Sequence, residues 1–335
     1  MSTVSNLIDV QDLQVHFSSN GNRSFAQLFD GTAKPIVKAV DGISFRVRKG
    51  EILGLVGESG CGKSTTGRAM LRLVRPTAGR VLYQERDLAA LRKSEFRPVR
   101  RQLQMIFQDP YSSLNPRMTV GAIISEPLTT FALAEGAQVN ARVRDLLEKV
   151  GLNANAINRY PHEFSGGQRQ RIGIARALAT QPEFIVADEP IAALDVSIQA
   201  QVMNLLKQLR REMSLTYLFI SHDLRAVRYM ADRVAVMYLG KIVEIADAGT
   251  IYKKPLHPYT QALISAVPIP NPKLERERQR IRLKGDVPSS INPPTGCRFN
   301  TRCQYAEPRC FTEEPQLRVI ESGHSVACHL VPSTS

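Results

Sequence analysis

The chain has 335 residues, 43% of them hydrophobic, which allows one large or two modest domains with buried cores. It has no apolar run of about eighteen residues, and residues 1–10 lack a basic start and a signal-peptide core; a cytosolic protein is expected, reaching any membrane only through partners. Lysine and arginine outnumber aspartate and glutamate by 44 to 31, a charge of +13 that suits nucleic acid, anionic lipid, nucleotide phosphate or plain solubility, and five cysteines in this setting argue against a disulfide framework.

Residues 7–17 alternate, with Leu13, Val15 and Phe17 on one side and Gln14 and His16 on the other, the period of a half-buried strand. Residues 18–35 are polar and read as a long loop. Ile43, Phe45 and Val47 then alternate with Ser44, Arg46 and Arg48, so two strands predict a small antiparallel layer.

The apolar run Ile52-Leu53-Gly54-Leu55-Val56 leads into Gly57-Glu58-Ser59-Gly60-Cys61-Gly62-Lys63-Ser64 and Thr65, and residues 63–74 have helical spacing before Pro76. A glycine, four residues and then Gly-Lys-Ser between a strand and a helix is a phosphate-binding pattern. The glycines let backbone N–H groups turn inward on β- and γ-phosphates, and the helix adds its positive dipole end. Lys63 is placed to reach the phosphate oxygens and Ser64 to hold Mg2+. Cys61 lies where only small side chains fit and is given no redox role.

Val81 and Tyr83 mark a further strand, and a strand over 103–107 runs into Gln108-Asp109-Pro110. Residues 119–150 are largely helical, with Val139, Val143, Leu146, Leu147 and Val150 on one face and Gly151 as the stop, an inserted helical subdomain. Phe164-Ser165-Gly166-Gly167-Gln168 forms a second glycine-containing loop at a helix start, equally readable as a plain Ser165 cap.

Phe184-Ile185-Val186-Ala187 has the character of a buried parallel strand and ends in Asp188 and Glu189. Successive strand side chains face opposite ways, so one carboxylate suits Mg2+ and the other an attacking water. Asp195 precedes a helix striped with Ile198, Val202, Leu205, Leu206 and Leu209. The strand over 217–220 brings His222 to its carboxyl end, the side on which open α/β sheets bind ligands. Strands near 234–239 and 241–245 complete this part.

Beyond Pro268 the composition shifts, and the mixed-charge run over 273–284, interrupted by Glu275 and Glu277, reads as a solvated linker and not as a nucleic-acid patch. Cys297, Cys303, Cys310 and Cys328 follow, and no two of them have the close spacing usual for zinc. A 4Fe-4S cluster, zinc and free structural thiols all stay open on spacing alone.

With these motifs assembled, the chain resembles the nucleotide-binding subunits of ATP-binding-cassette (ABC) transporters over about residues 7–265. The resemblance implies an α/β fold: an ABC-type P-loop NTPase with a RecA-like parallel sheet core, an antiparallel β layer and an inserted helical subdomain over about 109–175. A cysteine-rich extension over 266–335 would follow. It makes residues 57–65 the Walker A loop, including Gly57, Ser59, Gly60, Cys61, Gly62, Lys63, Ser64 and Thr65, and Gln108 the residue that contacts Mg2+ and senses the γ-phosphate. Asp188 would be the Mg2+ carboxylate, Glu189 the catalytic base, Asp195 the D-loop aspartate and His222 the switch histidine. Ser165, Gly167 and Gln168 belong to the signature motif, which in the family meets ATP held by a second subunit, and Phe17 or Phe25 would stack on adenine.

Asn115-Pro116-Arg117, Tyr160-Pro161-His162-Glu163, the stretch from His257 through Tyr259 to Leu263, and the 294–303 segment look like the oligopeptide and dipeptide importers. That likeness implies an ATPase powering peptide import at the cytoplasmic face of the inner membrane, without nucleic acid. Its partners would be a paralogous second ATPase in a head-to-tail dimer, two permeases and an extracytoplasmic peptide-binding protein. It also attributes a 4Fe-4S cluster to the four tail cysteines. Nickel and glutathione importers share much of the pattern, and a soluble cassette acting on ribosomes or DNA is the more distant alternative.

Overall fold

The computed structural model describes residues 5–18, 35–268 and 280–332. Most of the expected 18–35 loop, with Phe25, and most of the charged 273–284 run lie outside the described residues.

In chain order the elements are β1 (Asn6–Ser18), β2 (Ile36–Arg48), β3 (Ile52–Val56), α1 (Lys63–Met70), β4 (Ala78–Tyr83), β5 (Arg86–Asp87), α2 (Lys93–Gln102) and β6 (Leu103–Ile106). Then come α3 (Val120–Thr130), α4 (Ala137–Lys149), α5 (Gly166–Leu178), β7 (Phe184–Asp188), α6 (Val196–Met213), β8 (Thr216–Ile220) and α7 (Leu224–Met230). The remainder is β9 (Arg233–Tyr238), β10 (Lys241–Asp247), α8 (Ala248–Lys253), α9 (Pro258–Ser265), α10 (Pro308–Thr312), β11 (Arg318–Glu321) and β12 (His324–Val326).

The antiparallel layer forms as expected, in the order β2-β1-β4-β5. Ile43, Phe45 and Val47 are buried while Ser44, Arg46 and Arg48 face water, the two-residue period of a sheet with one wet face. The larger sheet has the order β11-β12-β10-β9-β3-β8-β7-β6, and β9, β3, β8, β7 and β6 run parallel. Every residue of β3, β7 and β8 is buried, because this sheet is covered on both faces. Leu53, Leu55, Phe184, Val186, Leu218 and Ile220 pack toward the antiparallel layer. Their neighbours Ile52, Val56, Ile185, Ala187, Tyr217 and Phe219 join α3, α4, α5 and α6 in a second apolar cluster.

Two details differ from expectation. The α1 helix stops at Met70 instead of continuing to residue 74, because Arg72 adopts a left-handed φ of 54° and the N–H groups of Leu73 and Val74 fold back on the Arg68 carbonyl. The tail also supplies strands of the main sheet: β12 pairs antiparallel with β10, matching Glu244 to Val326 and Ile245 to Ser325, and β11 pairs with β12. Phe299 of the tail is buried in the same apolar cluster as the helical layer.

Candidate nucleotide site

Sheet order assembles the site. In the sequence β3-β8-β7-β6, four neighbouring parallel strands end at one edge of the sheet. The phosphate loop follows β3, His222 follows β8, Asp188 and Glu189 end β7, and Gln108 follows β6. Register aligns the ends, since Leu55 and Asp188 both pair with Ile220 and Ile106 pairs with Ala187. The result is a cleft of about 530 Å³ whose walls include Ser59, Gly60, Gly62, Lys63, Ser64, Thr65, Gln108, Glu189 and His222.

Gly57, Gly60 and Gly62 of the loop all have positive φ, and at two of them a side chain would also clash. Gly57 has φ 153° and a Cβ there would sit 2.1 Å from the Met237 carbonyl oxygen. Gly62 has φ 109°, and its Cβ would meet the Ala39 carbonyl oxygen at the same 2.1 Å. Lys63 is buried, and its Nζ donates to the carbonyls of Gly57 at 2.8 Å and Glu58 at 2.9 Å. Cys61 is buried beside it, with Sγ 3.8 Å from Nζ, and burial pushes its thiol pKa up. An inert thiol agrees with a packing role and not a redox one.

Ser64 Oγ donates to Asp188 Oδ1 at 2.7 Å. The other carboxylate oxygen, Oδ2, is buried without a hydrogen-bond partner; Arg68 lies 3.9 Å from it, and the Lys63 charge adds to the compensation. Burial raises the Asp188 pKa, as it must when a carboxylate leaves water. A hydroxyl and a carboxylate with an orphaned oxygen form a hard, oxygen-only donor set of the kind that suits Mg2+.

Glu189 does not follow the alternation expected of a strand. Its φ of 44° lies in the left-handed region, costly for a non-glycine residue, and this twist turns its side chain into the same cleft that Ser64 lines. There Glu189 Oε2 accepts from Gln108 Nε2 at 3.0 Å and lies 3.2 Å from His222 Nδ1. The sheet therefore brings Lys63, Ser64, Asp188, Gln108, Glu189 and His222 together.

It does not bring the signature segment to them. Ser165 caps α5, accepting from Gln168 N at 3.4 Å while Gln168 Oε1 accepts from Ser165 N at 3.0 Å, a capping box. A Cβ on Gly167 would lie 2.4 Å from Ile198 Cγ2, so this glycine lets α5 and α6 approach. None of Ser165, Gly167, Gln168 or Phe17 lines the cleft, and Phe17 is 42% exposed on β1.

Two contributors escaped the sequence reading. Tyr259 Oη accepts the Glu58 N–H at 2.9 Å, and Arg302 from the tail grips the Glu58 carboxylate with two bonds of 2.7 and 3.2 Å. Tyr259 and Arg302 both lay in stretches already noticed, 257–263 and 294–303, but neither stretch marked them as partners of Glu58, and only the fold carries Arg302 across 244 residues of sequence.

The four tail cysteines are free thiols, and electrostatic interactions among them help push up the Cys297, Cys303 and Cys328 pKa values, behind the larger effect of burial. Cys297 reaches about 11. Among the described residues, however, no three His, Cys, Asp or Glu side chains close on a point where a metal could sit. A ready-made ligand set from Cys297, Cys303, Cys310 and Cys328 is thus not formed. The segment from Cys297 to Cys303 is held by other bonds, Cys297 N to the Cys310 carbonyl and Arg302 to Glu58.

A phosphate loop, a Mg2+-type carboxylate and a second carboxylate at adjacent parallel strand ends, with an antiparallel layer and a helical subdomain, define an ATP-hydrolysing cassette. The comparisons agree. The ABC transporter family model matches residues 40–192, and the model for the oligopeptide/dipeptide transporter C-terminal region matches residues 243–310. The oligopeptide transport ATP-binding protein AppF of Bacillus subtilis is 56% identical, covering 88% of this chain and 90% of that protein. OppF of Salmonella typhimurium, likewise an oligopeptide transport ATP-binding protein, is 54% identical over 96% of this chain and 95% of its own. Among solved structures, the dimeric post-hydrolysis ATP-binding cassette MJ0796 with ADP and Pi superposes with a TM-score of 0.62 at 27% identity, covering 72% of this chain and 98% of that one. The chain belongs to the oligopeptide-transport ATP-binding branch of the ABC family.

Proposed function

We propose that this chain binds ATP with Mg2+ in the cleft between residues 57–65 and the end of β7, and hydrolyses it to drive peptide import. The observation that carries the reading is the convergence of the Ser64–Asp188 pair and the Gln108–Glu189–His222 cluster on one cleft. Backbone N–H groups of the glycine loop cradle phosphate, and Lys63 exchanges its carbonyl partners for phosphate oxygens. Ser64 and Asp188 would hold Mg2+, which would supply neutralisation of phosphate charge. Glu189 orients and deprotonates the attacking water, while Gln108 and His222 fix its carboxylate and sense the γ-phosphate.

The signature residues Ser165 and Gly167 complete the site of a second cassette in a head-to-tail pair. Their position outside their own chain's cleft supports this, as does the dimeric state in the printed description of the MJ0796 cassette. The partner would be a paralogous ATPase, and the pair would sit at the cytoplasmic face of the inner membrane beneath two permeases, fed by an extracytoplasmic peptide-binding protein. Among the described residues no helix is long and apolar enough to cross a membrane. In this reading the chain divides into a cassette over 1–265 and an extension over 266–335. The 4Fe-4S reading of the tail is supported by four free thiols within electrostatic reach of one another. Iron and labile sulfide in equal amounts in anaerobically purified protein would support it, and their absence would end it.

The test is to isolate the Glu189→Gln form with ATP in mild detergent and identify what co-purifies. Two multi-span permeases and a second cassette are expected, followed by uptake assays with di- and oligopeptides against nickel and glutathione. Recovery of ribosomes or nucleic acid without membrane proteins would overturn the importer reading.

A further inference from the structure

The phosphate loop is held from an unexpected direction. Glu58, its second residue, is gripped at three points: its N–H by Tyr259 Oη, its carbonyl by Lys63 Nζ, and its carboxylate by both terminal nitrogens of Arg302. The Arg302 side chain is only 8% exposed, and its guanidinium lies 5.9 Å from the centre of the Tyr238 ring.

Arg302 is itself well anchored. Phe299, on the same tail segment, is buried against Tyr238 at 5.2 Å, Tyr259 at 5.4 Å and His257 at 5.7 Å between ring centres. Arg298, on the other side of Phe299, pairs with Asp41 at a register irregularity of β2 against β1, and Asp41 also holds His16. The six residues from Cys297 to Arg302 therefore bolt the tail to the antiparallel layer, the sheet and the phosphate loop at once.

We infer that Arg302 is a positioning residue for nucleotide binding, through which the cysteine-bearing tail holds the phosphate loop ready; this rests on the nucleotide reading of the cleft. Two physical effects act together. A loop already ordered loses less freedom when phosphate binds. A Glu58 carboxylate left unpaired beside the site would also repel the incoming triphosphate, and the bidentate guanidinium cancels that charge. Arginine suits the task because its planar fork matches a carboxylate where lysine offers one point charge. Cys303 is the next residue, so one of the tail's thiols lies one peptide unit from this brace.

The full-length chain should be titrated with a fluorescent ATP analogue in the presence of Mg2+, well below its melting temperature. Arg302→Gln is expected to weaken binding about five- to twentyfold, Arg302→Lys to recover part of that loss, and Tyr259→Phe, which removes only the hydroxyl, to weaken binding about threefold. In the assembled transporter Arg302→Gln should raise KM for ATP while kcat at saturation stays within about twofold, because bound nucleotide restores loop order. A merely structural role would lower the melting temperature without that split. Affinity within about twofold of wild type in Arg302→Gln, with Lys63→Ala abolishing binding, would overturn the inference alone. Unchanged binding in Lys63→Ala would overturn the nucleotide reading of the cleft, and the inference with it.

Discussion

The phosphate loop and the cysteine-rich tail contrast sharply in how they are built. The loop spans nine consecutive residues, and its partners sit at the ends of strands whose order a parallel sheet already dictates. The tail has no run of regular apolar spacing and gains its place by insertion into other elements: β12 beside β10, Phe299 among the rings of Tyr238 and Tyr259, Arg302 on Glu58. A local motif is stable in its meaning because neighbours in sequence are neighbours in space. A tail that borrows its core from the rest of the chain carries no such mark. The two regions meet at Glu58, so the less legible one is positioned to influence the more legible one.

The largest effect should separate the two regions. Glu189→Gln removes the proposed base without a change in size, and turnover in the assembled complex should fall by about 10²- to 10⁴-fold. Its melting temperature should match wild type; steady-state ATPase and calorimetry on one preparation check both. Residual hydrolysis near wild type would remove Glu189 from the mechanism.

Phe299→Ala probes the tail side. The ring is 1% exposed in the main apolar cluster, and its loss should destabilise the whole fold by about 3–5 kcal/mol, read as a shift of a single cooperative unfolding transition. A small separate transition moving while the main one stays would show that the tail folds as an independent unit.

His257 lies between the regions, buried against Phe299 with Nδ1 accepting the Tyr259 N–H at 3.1 Å. Burial pushes its pKa down to about 3, whereas an unfolded histidine titrates near 6.5. The unfolded chain therefore binds a proton that the folded one refuses, so stability is complete above about pH 6.5 and is lost as pH falls toward 3. By about pH 5 the loss from this group should be about 2 kcal/mol. Denaturant midpoints at about pH 7 and 5 should show it, and His257→Asn, which keeps an acceptor for Tyr259, should flatten that slope.

The smallest effect is expected farthest from the tail. Ser165→Ala removes a 3.4 Å cap bond at an exposed helix start and should cost about 0.5 kcal/mol of stability. ATPase activity in the assembled pair should nonetheless drop severalfold if Ser165 serves the partner's nucleotide, and equal small losses in both would leave it a cap alone.

The residues of the cleft were legible individually. Lys63 and Ser64 follow from the glycine loop, and Asp188, Glu189 and His222 from their places at the ends of apolar runs. Their contact was not, and neither was the left-handed turn at Glu189, which lines the cleft beside the Ser64 that Asp188 holds, because strand alternation argues for opposite faces. The early end of α1 at Arg72 was hidden for a related reason: apolar spacing continues past it, but backbone geometry does not.

By itself the sequence determined the α/β class, the antiparallel layer, the helical subdomain and the residue types of the nucleotide site, since all of these rest on short-range periodicity or fixed spacing. Tertiary structure alone decided that the tail joins the main sheet and that, among the described residues, the four thiols form no metal-holding group. It also decided that Arg302 and Tyr259 secure Glu58. Those outcomes depend on contacts between residues tens to hundreds of positions apart, chosen by which buried polar and aromatic groups can satisfy one another in a packed core, and no local pattern records that choice.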